Sequence, residues 1–151
     1  MNPVSLLETR DLVKRYDDVV ALDGVNLEIE QGDFLALVGP NGSGKTTLLR
    51  IIAAIEPSTS GEIYYRGKIV EGSEMLRRAT TMVFQKAVVF SRSVYDNVAY
   101  GLRLRKMSKA EVDSRVGEAL RQVELDGFER RNARKLSGGE QQRVSLARAI
   151  A

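Results

Sequence analysis

The sequence predicts an α/β protein in which a strand-rich first part is followed by a block of helices. Three observations favour this class. Apolar residues alternate with polar ones in two early segments, a continuous apolar run of strand length follows, and from about Val94 apolar residues recur at helical spacing. A mixed strand–helix region followed by helices is typical of an α/β core that carries a helical subdomain.

The predicted strands all lie in the first 84 residues. Residues 6–16 and 25–29 alternate apolar and polar side chains, as a half-buried strand does. Residues 34–38 form an unbroken apolar run, which predicts a buried, parallel strand. Residues 62–65 and 80–84 are shorter strand-like pieces. We therefore expect a sheet with at least one central strand.

Helices are predicted after the apolar run and throughout the second half. Residues 45–55 have a helical pattern, which Pro57 and the following Ser, Thr and Gly residues end. Ser108 and Glu111 have the spacing of a capping box, with apolar residues at helical spacing behind them. A last helix is predicted from about Gly139 to the end of the sequence.

The composition excludes several kinds of site. The 151 residues include no cysteine and no histidine, which excludes disulfides, thiolate metal sites and a histidine base. The net charge is +3, and basic residues are interleaved with acidic ones, as on a solvated surface. Aromatic residues make up only 6%, so a nucleic-acid groove is not expected.

Neither a membrane span nor a secretion signal is expected. The longest apolar stretches, residues 34–38 and 48–55, are far shorter than the roughly 20 residues that a membrane-spanning helix needs. Residues 1–5 lack the basic and apolar regions of a signal peptide.

The strongest motif is a glycine-rich loop that matches G-x-x-x-x-G-K-[ST] between a predicted strand and a predicted helix. It consists of Gly39, Pro40, Asn41, Gly42, Ser43, Gly44, Lys45, Thr46 and Thr47. Glycines allow several backbone N–H groups to converge on phosphate oxygens, and the following helix start adds partial positive charge. We expect Lys45 to neutralise the β and γ phosphates and Thr46 to ligate Mg²⁺.

The alternative interpretation, a glycine-rich turn that happens to precede Lys and Thr, is rare between such flanks. The loop therefore predicts nucleotide binding. By itself it leaves kinases, GTPases, helicases and transporters open.

A second motif narrows these classes. It reads Leu136-Ser137-Gly138-Gly139-Glu140-Gln141-Gln142-Arg143. This segment resembles the signature motif of the ATP-binding-cassette (ABC) superfamily, and the resemblance covers the whole chain. Ser137 and Glu140 also have capping-box spacing, so the alternative is simply a well-capped helix. Two adjacent glycines weaken a helix start but allow a ligand to approach the backbone closely.

The resemblance implies a role for each group of residues. Ser137, Gly138, Gly139 and Glu140 would contact the γ-phosphate of ATP held by a second copy, so that two cassettes close on two ATP molecules. Tyr16 resembles the aromatic residue on which adenine stacks; the alternative is a half-buried strand tyrosine. Gln85 resembles the Q-loop glutamine, which contacts Mg²⁺ or the attacking water; the alternative is a polar loop residue. Lys45 and Gln85 would be the catalytic residues, and Thr46 and Gln85 the metal-binding ones.

The resemblance also implies a domain organisation. Residues 1–92 would form an antiparallel β subdomain and a P-loop NTPase core through the Q-loop, and residues 93–151 a helical signature subdomain. In the family, a strand ending in Asp, a catalytic Glu, a D-loop and a switch histidine follow the last helix, and none is present here. We therefore expect a fragment that ends before the Walker B strand, inactive alone, with residues 34–38 partly uncovered. Two departures from the family pattern are Ala54 and Ala87, where glycine and proline are common.

The most similar branch of the superfamily is the importers. Residues 88–90 and 93–102 resemble the segment that follows the Q-loop in phosphate, molybdate and tungstate importers, tungstate importers above all. The resemblance thus implies uptake of an oxyanion, with amino-acid or other metabolite import as the alternative. A translation factor is a further alternative, whereas a chromosome-maintenance protein would need coiled coils that are absent.

An importer ATPase would work with several partners. The resemblance implies a second copy of the subunit, transmembrane permease subunits and, indirectly, a solute-binding protein, with no nucleic acid. It also implies ATP and Mg²⁺ as cofactors. The expected location is the cytoplasm, on the inner face of the cell membrane.

Overall fold

A computed structural model describes residues 5–70 and 74–151, so most of the N-terminal segment in which no signal peptide is expected lies outside the described residues. The chain divides into two units, Met1–Met82 and Val83–Ala151, each with its own hydrophobic core. The functional division after residue 92 is a different one, and it stays a prediction.

The first unit contains an antiparallel sheet. Its strands are β1 (Leu7–Tyr16), β2 (Val19–Ile29), β3 (Ser60–Tyr65) and β4 (Lys68–Ile69), in the order β2-β1-β3-β4. In the β1–β2 hairpin, Tyr16 pairs with Val19 at the turn and Leu7 with Ile29 at the far end. The strands predicted at residues 6–16, 25–29 and 62–65 correspond to β1, β2 and β3, although β2 begins six residues earlier than residue 25.

The described part of the first unit also contains the helices α1 (Lys45–Ile52) and α2 (Glu74–Ala79). Helix α1 ends three residues earlier than the predicted residue 55 because the chain turns at Ala54, whose φ is +52°. An alanine is strained in this left-handed conformation, which explains why glycine is common there in the family. The core residues of this unit are Leu7, Leu12, Leu22, Leu48, Ile51, Ile63, Val70 and Leu76.

Two predicted strands are wrong. Residues 34–38 and 80–84 have no regular secondary structure, and Phe34 and Val38 are 98% and 93% exposed. A central strand forms only where neighbouring strands pair with its N–H and C=O groups. Within the described part of the chain, no strand pairs with either segment.

The second unit is helical, as predicted. It contains α3 (Val94–Leu104), α4 (Lys109–Gln122), a short 3-10 helix (Ala133–Lys135) and α5 (Gly138–Ile150). The core lies between the helices and consists of Val94, Val98, Ala99, Leu102, Val112, Val116, Ala119, Leu120, Val123, Leu125, Ala133, Val144 and Ala147. In the described ranges, every helix is too short or too polar to span a bilayer.

Candidate nucleotide-binding site

The phosphate loop depends on glycine at two positions with positive φ. Gly42 and Gly44 have φ values of +85° and +83°, which glycine adopts readily. A Cβ atom on Gly44 would lie 2.4 Å from the carbonyl oxygen of Ala21 and 2.9 Å from Leu22 Cδ2. Gly44 thus permits both the turn into α1 and the close approach of the loop to β2.

Lys45 folds back over this loop. Its Nζ donates hydrogen bonds to the carbonyl oxygens of Gly39 and Pro40, at 2.7 and 2.6 Å, and to Ser43 Oγ at 3.1 Å. All three acceptors are neutral oxygens of the loop. The positive charge of Lys45 is therefore held at the loop and is available to an anion there.

The start of α1 adds to the same positive region. Its first turn contains no acidic residue, and its first intrahelical bond runs from the N–H of Leu48 to the oxygen of Gly44 at 2.9 Å. The preceding N–H groups at a helix start carry partial positive charge and suit an anion. Thr46 is exposed here and Thr47 is half-buried.

Tyr16 lies at the turn of the β1–β2 hairpin, near the point where β2 meets the phosphate loop. It pairs with Val19, two residues before Ala21, whose carbonyl meets Gly44. Tyr16 is 40% exposed, which a residue that stacks on a ligand must be in part. Its hydroxyl donates a hydrogen bond to Glu56.

Lys14 and Glu56 belong to this site, and the sequence reasoning missed both. Lys14 Nζ lies 4.9 Å from the centroid of the Tyr16 ring and 3.3 Å from Glu56 Oε1. The hydroxyl of Tyr16, and then Lys14, lower the pKa of the Glu56 carboxyl. The sequence could have placed Lys14 beside Tyr16, because residues two apart lie on the same face of a strand. Glu56 carries no such signal, since 40 residues separate it from Tyr16.

The signature segment forms a complete capping box at the start of α5. The N–H and hydroxyl of Ser137 donate to Glu140 Oε2, at 2.7 and 2.6 Å, and Ser137 Oγ accepts from the N–H of Glu140. These bonds, the hydroxyl's first, lower the pKa of Glu140. Beside Gly138 and Gly139, a Cβ would meet no atom within 4 Å. The backbone of this helix start is therefore open to a ligand.

Gln85 is exposed at a bend in the second unit. Side chains of α5 donate hydrogen bonds to one backbone carbonyl before Gln85 and to one after it. Gln142 Nε2 donates to the oxygen of Phe84 at 3.0 Å, and Arg148 Nη2 to the oxygen of Val88 at 2.7 Å. The structure thus brings Gln85 together with the signature helix, while the phosphate loop and Tyr16 form their own group in the first unit.

The donors available to Mg²⁺ are few. Across residues 5–70 and 74–151, no group of three or more His, Cys, Asp or Glu side chains could hold a metal ion. The exposed hydroxyl of Thr46, beside a loop shaped for phosphate, is the kind of oxygen donor that Mg²⁺ accepts together with nucleotide phosphates. The residues present therefore fit a metal held jointly with a nucleotide rather than by a protein cage.

Residues 22–151 match the family model described as ABC transporter. The chain belongs to the ABC transporter family. The predicted ABC ATPase fold, with its antiparallel sheet and helical elements, is confirmed by structures of ABC proteins.

The chain is similar to ABC proteins from several sources. It is 44% identical, over 97% of its length, to the spermidine/putrescine import ATP-binding protein PotA of Clostridioides difficile strain 630. It resembles cbiO1 of Clostridium perfringens, part of the ABC transporter complex cbiONQ, with 31% identity, a TM-score of 0.85 and coverage of 97% of the chain and 61% of cbiO1. It also resembles the dimeric ATP-binding cassette MJ0796 bound to ADP and Pi, with 32% identity, a TM-score of 0.86 and coverage of 96% and 69%. The chain spans only 42% of the length of the PotA relative.

Proposed function

We propose that this chain supplies the ATP-binding surfaces of an ABC importer ATPase. The observation that carries the proposal is the phosphate loop, with Gly44 packed against β2 and the Lys45 ammonium held by loop oxygens. Such a loop binds the phosphates of a nucleotide by backbone N–H groups and one cation.

The residues of the loop would divide the work of holding ATP. Lys45 would leave the carbonyls of Gly39 and Pro40 and pair with the β and γ phosphates. The Thr46 hydroxyl and Gln85 would hold Mg²⁺, which neutralises charge on the phosphates when it is bound. Tyr16 would stack on adenine, with its ring oriented by Glu56. Gln85 would also orient the attacking water, so that the whole protein hydrolyses ATP.

The signature segment would act on ATP bound to a second copy of the subunit. Ser137, Gly138 and Gly139 are exposed, and the helix start behind them favours an anion. The MJ0796 structure, a dimer bound to ADP and Pi, supports a paired arrangement. Glu140 would keep Ser137 and the helix start in place through the capping box.

The subunit would sit on the inner face of the cell membrane, in contact with permease subunits and indirectly with a solute-binding protein. For the transported solute, the segment 93–102 favours an oxyanion such as tungstate, molybdate or phosphate. The PotA relative favours a polyamine as the second candidate. ATPase activity of the assembled transporter, measured with molybdate, tungstate, phosphate or putrescine, separates the two: stimulation by putrescine alone would refute the oxyanion assignment.

Nucleotide binding is tested by calorimetry on Lys45→Ala in the full-length protein. We expect ATP affinity to fall at least tenfold while adenosine affinity is unchanged, because only charge-assisted phosphate contacts are lost. Lys109→Ala, which removes an exposed lysine at the start of α4, is the matched control and should bind ATP normally. Equal ATP affinity in Lys45→Ala and the wild type would refute the proposed site.

A further inference from the structure

The segment 83–93 contains Gln85 and has neither helix nor strand. Backbone polar groups in such a segment need partners from elsewhere in the protein. Side chains supply several of them. This makes the conformation around Gln85 dependent on a few identifiable residues.

Two of these residues lie on the signature helix α5. The amide of Gln142 binds the carbonyl before Gln85, at Phe84, and the guanidinium of Arg148 binds the carbonyl of Val88. The two side chains are six residues apart, which corresponds to about 9 Å along a helix. They therefore hold the backbone on both sides of Gln85.

The Arg148 anchor is well defined. Its side chain is half-buried, and burial lowers its pKa, although a guanidinium stays charged at any physiological pH. Its guanidinium carbon lies 5.4 Å from the centroid of the Phe90 ring, which packs 4.9 Å from that of Tyr100. A charged donor to a carbonyl is stronger than a neutral one, so this contact is the firmer of the two.

The far end of the segment is fixed independently by α3. Asn97 is fully buried, and its side chain accepts from the N–H of Phe90 at 2.7 Å and donates to the oxygens of Phe90 and Ser93 at 3.1 and 2.9 Å. The backbone of Phe90 and Ser93 is thus hydrogen-bonded by α3, and Arg148 on α5 reaches only the ring of Phe90. The contacts from α5 act on the part that contains Gln85.

We propose that Gln142 and Arg148 are positioning residues that hold the backbone on both sides of Gln85 against the signature helix. Ser137, which opens α5, lies only five residues before Gln142. A ligand that shifts the start of this rigid helix would therefore move the backbone on both sides of Gln85. The inference rests on the proposed role of Gln85 in holding Mg²⁺ or water, and it adds a direct link from the signature to that residue.

Limited proteolysis with the lysine-specific protease Lys-C tests the structural half of this inference, because Lys86 follows Gln85 and is exposed. In the full-length protein, Gln142→Leu and Arg148→Met should each speed cleavage after Lys86 severalfold, since a protease cuts backbone that leaves its folded conformation. Gln122→Leu and Arg121→Met, exposed positions on α4, are the matched controls and should leave cleavage after Lys86 unchanged. Arg148→Lys keeps one charged donor and should restore part of the protection. Unchanged cleavage after Lys86 in both α5 variants would overturn the proposal.

A double-mutant cycle tests the functional half. Each α5 variant should lower kcat by about tenfold, with little change in the KM for ATP, because misplacing a group near the reacting atoms affects turnover. In a Gln85→Ala background, the same substitutions should have almost no further effect, since they act through Gln85. Full additivity would mean that Gln142 and Arg148 stabilise the unit only, and would overturn the positioning role. If Gln85→Ala alone leaves kcat unchanged, the proposed role of Gln85 fails, while the proteolysis measurement still decides whether α5 holds the segment around Gln85.

Discussion

Gly44 is the residue at which the phosphate loop meets the sheet. Its neighbour Gly42 has nearly the same φ, but a Cβ there would meet nothing within 4 Å, whereas on Gly44 it would strike the backbone of β2. A substitution at Gly42 would therefore introduce backbone strain alone, whereas one at Gly44 would introduce the same strain and a steric clash. Only the clash at Gly44 depends on contact between the loop and β2.

This difference predicts unequal losses of stability. Gly42→Ala should cost about 1–2 kcal/mol, the strain of a left-handed alanine. Gly44→Ala should cost roughly 2 kcal/mol more, because the backbone carbonyl of Ala21 must also move. Urea unfolding of the two variants measures both values. Equal losses would show that the loop does not pack against β2 as described.

If Tyr16 stacks on adenine, nucleotide affinity should depend on its ring and not on its hydroxyl. Tyr16→Ala should weaken nucleotide binding by about 1–3 kcal/mol if the ring stacks on adenine. Tyr16→Phe keeps the ring and loses only the bond to Glu56, so nucleotide affinity should change little. Calorimetry with ATP compares the two variants. An equal loss in both would assign the contact to the hydroxyl and contradict stacking.

The same hydroxyl makes a prediction about pH. Because its bond and Lys14 lower the pKa of Glu56 in the folded state, Glu56 stabilises the fold above its unfolded pKa of about 4.3. This contribution is lost as the pH falls through the folded pKa. Tyr16→Phe should therefore lose less stability than the wild type between roughly pH 6 and pH 3. Urea unfolding across that range checks the direction, and identical slopes would contradict it.

At the scale of elements, two nearly identical capping boxes occur among the residues that the structure describes. The N–H of Ser108 bonds to Glu111 Oε2 at 2.9 Å, and that of Ser137 to Glu140 Oε2 at 2.7 Å. Both boxes stabilise a helix start in the second unit. Only the box at Ser137 is followed by adjacent glycines with open space beside them. The box at Ser108 is therefore a control for the box at Ser137: both cap a helix, but only the one at Ser137 has a proposed contact with ATP.

Ser137→Arg and Ser108→Arg should each cost about 1 kcal/mol of stability, the usual value of a lost N-cap. Only Ser137→Arg should block dimerisation driven by a non-hydrolysable ATP analogue, because its side chain would fill the space beside the glycines. Light scattering on the full-length variants measures dimerisation. Normal dimerisation of Ser137→Arg would refute the shared site.

The elements also explain which parts of the fold were predictable. Helices α3, α4 and α5 form their own backbone hydrogen bonds and have their own caps, so the local sequence specifies them. The role of Ser137, Gly138, Gly139 and Glu140 at the start of α5 stays a prediction. The segment 34–38 needs strands beside it, which its own residues do not encode. Helix α2 and strand β4 were missed because six and two residues are too few to show a period. The contacts of Gln142 and Arg148 join residues 58 and 60 positions apart, beyond any local pattern.

At the scale of the whole molecule, the chain has two proposed nucleotide-binding surfaces and an exposed apolar segment. Phe34 and Val38 are almost fully exposed, and exposed apolar patches favour aggregation. Residues 1–151 expressed alone should therefore aggregate. Phe34→Ser with Val38→Thr should reduce light scattering at equal concentration, whereas Leu104→Ser, an exposed apolar residue on α3, should have less effect. An equal improvement from Leu104→Ser would contradict this account.

In the proposed pair of subunits, the phosphate loop and the signature of one chain bind two different ATP molecules. Mixing Lys45→Ala with Ser137→Arg in the full-length protein tests it most directly. In the mixed pair, the intact loop of one subunit faces the intact signature of the other, so one composite site is restored. Native mass spectrometry with ATP should then detect a mixed dimer that holds one ATP, while neither variant alone forms a dimer. Failure of the mixture to dimerise, with wild-type dimers formed under the same conditions, would contradict the shared-site account.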